Sequence, residues 1–181
     1  MDSEQLLELI KKRRSIRRYL PNPIPDEHIN KILEAGLYAP SGKNRQPWRF
    51  FVIKDVKTIR SIAKSTTYSK FARNAPVMVL VFAKTDADYP TEKDLIGIGA
   101  CLQNMMLTAT AMGYGSCIVG ELYGMQASLA QAVAFDADEY LLTCGLAVGK
   151  VKCTADHSVQ KEVDSKLLLP KKDDKFIEKI F

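Results

Sequence analysis

The spacing of apolar residues predicts alternating helices and strands along the whole chain. Helical spacing favours helices that start at Asp2 or Ser3 and that cover residues 26–38, 56–64, 94–112 and 124–134. Short apolar runs favour strands at residues 49–54, 77–83, 116–119 and 141–148. About four strands interleaved with helices predict one α+β domain, residues 1–181, with a central mixed sheet.

Two of these segments have an unusually apolar or uncharged composition. The strand at 77–83 is apolar at nearly every position, a pattern typical of a strand buried on both faces. The stretch from Leu95 to Gly120 has 26 residues without a charge, but Gln103, Asn104 and five glycines make it too polar for a membrane span. A helix without a solvated face needs cover on every side, so we expect a homodimer with this helix near the interface.

The composition fits a globular protein that needs no disulfides. The chain has 181 residues, of which 46% are hydrophobic and 26% charged. The first apolar residues are followed at once by basic ones, so nothing resembles a signal peptide and a cytoplasmic protein is expected. The four cysteines have no C-x-x-C spacing. A zinc site from Cys144, Cys153 and His157 matches no common pattern, which favours core thiols.

Histidines are equally uninformative about catalysis. The chain has two, His28 and His157, and neither lies in a motif. Both are predicted to be solvated. A Ser-His-Asp or Cys-His arrangement is therefore not expected.

The formal charge of +5 is concentrated near the start of the chain. Six of the eight residues 11–18 are Lys or Arg, and we call this stretch the basic segment. Arg13 and Arg17 flank Ser15, while Ile16 and Tyr19 supply apolar anchors. Guanidinium groups held in this way could bind a phosphate. A solvated charge run or a nucleic-acid patch explains the same spacing.

A second polar stretch, residues 39–48, lies between a predicted helix and a predicted strand, and we call it the amide loop. Ser41-Gly42 supplies turn residues, and Pro47 is expected to make Gln46 extended. The Ser41, Asn44 and Gln46 side chains stay neutral at physiological pH, which suits recognition of a flat ring edged with nitrogen and oxygen atoms. An ordinary solvated loop is the alternative.

Taken in order, these motifs resemble the nitroreductase family of FMN-dependent oxidoreductases. The resemblance extends over nearly the whole chain. It is carried by Arg-Arg-Ser-Ile-Arg at 13–17, Ala-Pro-Ser at 39–41 with Asn44, Gln-Pro-Trp at 46–48, Gln-Asn at 103–104, Gly-Tyr-Gly-Ser-Cys at 113–117 through Gly120, and Leu-Ala-Val-Gly at 146–149.

The resemblance implies a mainly antiparallel sheet flanked by helices and an intertwined homodimer with FMN at the interface. The basic segment would hold the phosphate and pyrimidine side, the amide loop of the other subunit would line the ring and ribityl chain, and Val119 and Gly120 would present backbone to the ring. Residues 151–181 would form an arm that packs on the partner. The implied cofactor-binding residues are Arg13, Arg14, Ser15, Arg17, Pro40, Ser41, Gly42, Asn44, Gln46, Tyr68, Val119, Gly120, Lys171 and Lys172.

The activity implied is hydride transfer from NAD(P)H through FMN to a nitroaromatic, quinone or similar small acceptor in alternating half-reactions. The flavin would supply the chemistry, so no catalytic side chain or metal is expected. The expected partners are a second copy of the chain and a small-molecule acceptor, without nucleic acid or a membrane. Three alternatives stay open: specialised flavin chemistry such as dehalogenation or dehydrogenation, flavin binding without turnover, and nucleic-acid binding through the basic segment. The short connector at 84–93 lacks the helical excursion of larger members, which leaves the acceptor open. Without a G-x-G-x-x-G motif, the choice of NADH or NADPH is open too.

Overall fold

A four-stranded sheet with helices on both faces forms the fold. The computed structural model describes residues 2–125, 127, 129 and 139–152. The strands are β1 (Trp48–Ile53), β2 (Val77–Lys84), β3 (Tyr114–Val119) and β4 (Tyr140–Lys150), and the helices are α1 (Ser3–Lys12), α2 (Asp26–Leu37), α3 (Val56–Ala63), α4 (Ser69–Ala72) and α5 (Thr91–Ala111).

The strand order is β1-β2-β4-β3, and every pair of neighbouring strands is antiparallel. β2 is hydrogen-bonded on both edges, and all its residues except Lys84 are buried. This confirms the prediction of a strand covered on both faces. β3 is an edge strand of this sheet, and its free edge is where the basic segment reaches it through the parallel bridge from Ser15 to Ser116.

One apolar layer lies on each face of the sheet. The first layer joins α3 and α4 to the sheet through residues such as Ile59, Ile62 and Phe82. The second joins α2 and α5 through residues such as Ile32 and Met105. Alternating side chains of the fully covered β2 supply both layers, which fixes the strand register because a shift by one residue would exchange them.

Local sequence signals explain several helix ends. Asp2 caps α1, with its carboxylate accepting from the Gln5 backbone while the Gln5 side chain accepts from the Asp2 backbone. Asp55 caps α3 by accepting from the Thr58 backbone N–H at 2.7 Å. Pro25 precedes α2 and Pro90 precedes α5, each in an extended conformation that starts the helix.

The predicted elements agree with the structure in kind and differ at their ends. The uncharged helix begins three residues before the predicted Asp94, and β3 begins at Tyr114, where the sequence had suggested only the end of the helix. The short helix α4 was not predicted. The predicted helix 124–134 falls mostly outside the described residues, and so does the arm at 151–181 beyond Lys152.

α5 is covered on one side only in a single chain. Its buried side faces α2 and the sheet, whereas Ile96 is 76% exposed and Gly99 is also exposed. α1 has no buried residue at all, and its Leu6, Leu7 and Ile10 are exposed. Both helices therefore present apolar side chains that one subunit leaves in water. Within the described part of the chain, no helix has the length and apolarity needed to cross a bilayer.

The prediction of a solvated His28 was wrong. His28 is half-buried, and its Nδ1 lies 2.7 Å from the Tyr114 hydroxyl, because the His28 side of α2 packs near the start of β3. The prediction of core thiols is confirmed for Cys101, Cys117 and Cys144, which are all buried. Cys153 and His157, the other members of the hypothetical zinc site, lie outside the described residues.

Candidate functional site

The basic segment is tied to the edge of the sheet by backbone hydrogen bonds. The Ile16 N–H donates to the Ser116 carbonyl at 2.9 Å, and the Leu20 N–H donates to the Lys150 carbonyl at 2.8 Å. A Cβ on Gly115 would come within 2.6 Å of the Ile16 side chain, so the absence of a side chain at this position lets the segment approach β3. The segment is thereby held in one register along this edge.

The three arginines of the predicted site differ in their contacts. Arg14 donates to the carbonyls of Lys11 and Arg13 and so caps the last turn of α1. Arg17 donates to the Ser15 carbonyl at 3.3 Å, and its guanidinium carbon lies 5.8 Å from the centre of the Phe71 ring. The Arg13 side chain is half-buried and makes no hydrogen bond or ion pair within the described part of the chain.

Cys117 shows that these groups converge beside β3. Burial raises the pKa of its thiol, while the positive charge of Arg17, a hydrogen bond with Ser15 and the charge of Arg13 act in the opposite direction. The thiol therefore lies close enough to respond to all three residues. The pKa that results is still above the ordinary value, so Cys117 is a buried core thiol rather than a nucleophile.

Tyr68 belongs to the same surface. Its ring is 46% exposed and lies 5.8 Å from the ring of Phe71, the aromatic residue under Arg17. Val119 is fully buried, so only its backbone can face a ligand. Gly120 is exposed, and among the described residues a Cβ built on it would meet no atom within 4 Å, which leaves open space beside the end of β3. We call Arg13, Ser15, Arg17, Tyr68 and Gly120 the basic half-site.

The sequence did not identify several polar neighbours of this half-site. A hollow of about 780 Å³ is lined by Arg17 and Phe71 together with Lys70, Asn74 and Lys152. The Glu121 carboxylate accepts from both donors of Thr67, next to Tyr68 and Gly120. Charged residues scattered over three elements carry no local spacing signal, so only the tertiary fold could reveal them. Lys171 and Lys172 lie outside the described residues.

The amide loop is ordered by its own side chains. The Ser41 hydroxyl accepts from the Gln46 backbone N–H, and the Gln46 side-chain amide donates to the Asn44 side-chain oxygen, each at 3.0 Å. Gln46 is not extended as predicted. Its φ is +49°, and Lys43 and Asn44 also have positive φ, because the loop curls back on Ser41. Non-glycine residues adopt this conformation only at a cost in free energy, which the surrounding contacts must offset.

Arg45 and Tyr89 supply much of that support. Arg45 pairs with the Asp86 carboxylate and lies 3.6 Å from the buried carboxylate of Asp94. A Cβ on Gly42 would lie 1.8 Å from the Tyr89 hydroxyl, so Gly42 contacts that ring directly. Pro40 and Ser41 lie against Gly97 of α5. Asn44 and Gln46 are left exposed, with Ser41 half-buried.

The amide loop and Arg14 of the basic segment lie at opposite ends of α5. The amide loop lies beside Gly97, near the start of the helix, whereas Arg14 of the basic segment lines a hollow with Thr110 and Ala111 near its end. The 13 steps along the helix from Gly97 to Thr110 correspond to about 20 Å. Within one subunit, Arg14 and the amide loop are therefore too far apart to contact the same part of a small ligand.

Comparison with known proteins identifies the family. The model of the nitroreductase family matches residues 10–67 and 61–150. The chain belongs to the nitroreductase family. This confirms the resemblance inferred from the motifs, and the helix-flanked antiparallel sheet agrees with the fold of solved nitroreductases.

Individual relatives share about a third of their residues with this chain over the matched regions. A protein of Archaeoglobus fulgidus assigned as an NADH dehydrogenase/NAD(P)H nitroreductase is 36% identical over 65% of this chain and 68% of its own. An iodotyrosine deiodinase of Thermotoga neapolitana is 30% identical over 62% and 72%, respectively. The matches span 60% and 35% of the length of two further relatives. A Desulfovibrio desulfuricans protein assigned as a nitroreductase, solved in complex with FMN, is 37% identical with a TM-score of 0.74 over 85% of this chain and 94% of that one.

Proposed function

We propose that this protein is an FMN-dependent oxidoreductase that takes hydride from NAD(P)H and passes it to a small oxidised acceptor such as a nitroaromatic or a quinone. The observation that carries this proposal is the basic half-site, where the basic segment runs beside β3 and the exposed Gly120 follows the end of that strand. Family membership and the FMN in the D. desulfuricans relative support the choice of cofactor. The names of the nitroreductase relatives support the choice of NAD(P)H.

The residues of the basic half-site fit a flavin phosphate. Arg13 has no ion-pair partner in the described part of the chain, and Arg17 donates to a carbonyl and lies over an aromatic ring. A guanidinium group has five N–H donors, so both side chains keep donors for a phosphate. Ser15 lies opposite Ser116, and Gly120 is four residues further along β3, or about 13 Å at the rise of a strand. This arrangement suits a molecule with an anion at one end and a ring at the other.

The amide loop would complete this site from a second subunit. Two copies related by a two-fold axis with antiparallel α5 helices would bring the start of one helix to the end of the other. Such an arrangement places Ser41 and Asn44 of the partner opposite Arg13 and would cover the exposed Ile96 and the apolar side of α1. The homodimer would then contain two shared sites. An arm at residues 151–181 with Lys171 or Lys172 at the phosphate remains part of this proposal.

The chain's own residues would bind, orient and exclude water rather than react. FMN, when bound, supplies the acceptance and release of hydride. Arg13 and Arg17 would neutralise its phosphate and the negative charge that gathers on the pyrimidine side. Ser41, Asn44 and Gln46 would donate and accept hydrogen bonds at ring heteroatoms without exchanging protons. The Gly120 backbone, with no side chain in the way, would let a second planar molecule approach the ring edge.

Reductive dehalogenation is the second candidate, because the T. neapolitana relative is an iodotyrosine deiodinase. It would use the same site with a halogenated phenol as acceptor. Flavin binding without turnover and nucleic-acid binding by the basic segment are the remaining alternatives.

A visible absorption spectrum of the purified protein tests the proposal. We expect a flavin spectrum that bleaches within seconds of anaerobic NAD(P)H addition and returns with a nitroaromatic, a quinone or a halogenated tyrosine, the acceptor distinguishing the candidates. Slow bleaching would support flavin binding without turnover. A colourless protein that does not bind added FMN, combined with salt-sensitive binding to nucleic acid, would contradict the proposal.

A further inference from the structure

Glu121 joins two segments that are 54 positions apart in the sequence. Its Oε2 accepts from the Thr67 backbone N–H at 2.7 Å, and its Oε1 accepts from the Thr67 hydroxyl at 2.6 Å. One carboxylate therefore satisfies both donors of one residue. The bonds are short because the acceptor is charged.

The two segments carry the ring-side residues of the basic half-site. Thr67 precedes Tyr68, whose N–H donates to the Thr66 hydroxyl at 2.8 Å, and Thr66 is buried. Glu121 follows Gly120 in a single turn of 3-10 helix, which the bond from the Tyr123 N–H to the Gly120 carbonyl closes at 3.0 Å. Movement of the Thr67–Tyr68 backbone away from the Gly120 turn would have to break the Glu121 contact.

Recognition of an anion alone would not require an acid at this position. Arg13 and Arg17 suit an anion, and a carboxylate next to Gly120 would repel one. The bidentate contact gives a reason for the acid, since a carboxylate can accept from both Thr67 donors at once. Glu121 would thus place one negative charge beside the ring edge while the arginines act on the phosphate side.

We propose that Glu121 is a positioning residue of the flavin site: it fixes the distance between Tyr68 and the Gly120 backbone, and its charge lowers the reduction potential of the bound cofactor. This inference rests on the proposed function. The mechanical role and the electrostatic role can be separated because different substitutions remove them.

Three variants provide that separation. Glu121→Gln keeps the shape and both hydrogen bonds, with the amide NH₂ turned to the Thr67 hydroxyl, but removes the charge. Glu121→Ala removes the bonds and the charge. Thr67→Val removes the hydroxyl bond and leaves the charge and the backbone bond in place.

Two measurements read out the roles. In the flavin-free protein, hydrogen exchange at the Thr67 amide should be roughly tenfold faster in Glu121→Ala than in wild type, intermediate in Thr67→Val and nearly unchanged in Glu121→Gln. In the FMN-loaded protein, the midpoint potential should become more positive in Glu121→Gln and Glu121→Ala and stay unchanged in Thr67→Val. Glu121→Ala should also raise the Kd for FMN more than Glu121→Gln does.

The outcomes that contradict the inference are distinct. Unchanged Thr67 exchange in Glu121→Ala would remove the positioning role, and an unchanged potential in Glu121→Gln would remove the electrostatic role. A wild-type protein that protects the Thr67 amide but binds no FMN would reject the proposed function itself, and the assignment of Glu121 to a flavin site with it.

Discussion

The guanidinium carbon of Arg45 lies 4.4 Å from the centre of the Tyr89 ring, and the same side chain reaches the carboxylate of Asp94 at 3.6 Å. Asp94 is 2% exposed, so Arg45 compensates a charge that water hardly reaches. This contact joins the amide loop to the first turn of α5. The strained loop is therefore held by a residue whose contacts lie on α5 and on the segment before it.

Replacing Arg45 should destabilise the protein through Asp94. We expect Arg45→Met to lower the midpoint of thermal unfolding by several degrees, because it leaves the Asp94 carboxylate buried without a cation. Lys93→Met is the matched control. The Lys93 Nζ also lies near the Tyr89 ring, 5.8 Å from its centre, but Lys93 has no ion pair among the described residues. Equal midpoints for the two variants would show that the ion pair contributes nothing.

Gly42 should tolerate a methyl group only if Tyr89 loses its hydroxyl. A Cβ at position 42 would meet that hydroxyl oxygen at 1.8 Å, and the next atom, the ring carbon that carries it, lies at 3.0 Å. We expect Gly42→Ala to cost about 1–3 kcal/mol in urea unfolding. Tyr89→Phe in the same chain should recover most of this loss. A double variant no more stable than Gly42→Ala would place the conflict elsewhere.

Gly115 should control cofactor retention without touching the cofactor. A Cβ there conflicts with Ile16 at 2.6 Å and would push the basic segment off β3. Gly115→Ala should therefore weaken FMN binding by roughly tenfold or more through displaced Arg13 and Arg17. Gly36→Ala makes a comparable conflict at 2.9 Å between α2 and α5 and serves as control, with retention near wild type. Equal losses of FMN in fluorescence titrations would mean that general destabilisation is responsible.

Mixed dimers should recover activity if each site is shared. Arg13→Ala and Asn44→Asp should each weaken FMN binding roughly tenfold or more, the first by loss of charge-assisted bonds and the second by repulsion. Random pairing of the two variants makes about half of the dimers mixed, each with one intact site, so about a quarter of the wild-type sites should return. Co-refolding followed by NAD(P)H oxidation measures this.

The control for that experiment combines two variants from the same half. Arg13→Ala mixed with Arg17→Ala leaves every site damaged and should recover nothing. Recovery in both mixtures, or in neither, would contradict a site built from two subunits.

Acid should release the Glu121 contact. Hydrogen bonds from the Thr67 hydroxyl and backbone, in that order, lower the pKa of Glu121 below its ordinary value of 4.5. Because the folded value is the lower one, this stabilisation is fully present above about pH 4.5 and is lost as the pH falls through the folded pKa. The difference in Thr67 amide protection between wild type and Glu121→Ala should thus be constant near neutral pH and vanish in acid. A difference that grew on acidification would contradict this.

Much of the fold and half of the site could be predicted from local sequence. The continuous apolar run of β2 predicted its burial on both faces, and the uncharged stretch from Leu95 onward predicted most of the long helix α5. Ser15 and Arg17 could be proposed as site residues because the basic segment is contiguous. Gln46 could not be described correctly, because its left-handed backbone depends on Ser41 and Asn44 folding back on it. His28 was misjudged because its partner is 86 positions away.

The Thr67 and Glu121 pair marks the limit of such prediction. An exposed threonine and an exposed glutamate have no periodicity or spacing that links them, and their contact exists only once β3 and the turn before α4 are packed together. Gly120 was predicted because a glycine after a strand is informative by itself. The next residue, Glu121, was not predicted as part of the site because a charged residue in a loop usually faces water.

α1 adds no buried side chain to a single subunit, and it ends in Lys11-Lys12, immediately before Arg13. In the proposed dimer the apolar side of α1 would be covered, whereas in a separated subunit we expect α1 to detach and unfold before the other helices. Trypsin cuts after lysine and arginine, so nicking at this junction would report dissociation while the central strands stayed intact. Dilution should accelerate that nicking, and saturation with FMN should slow it.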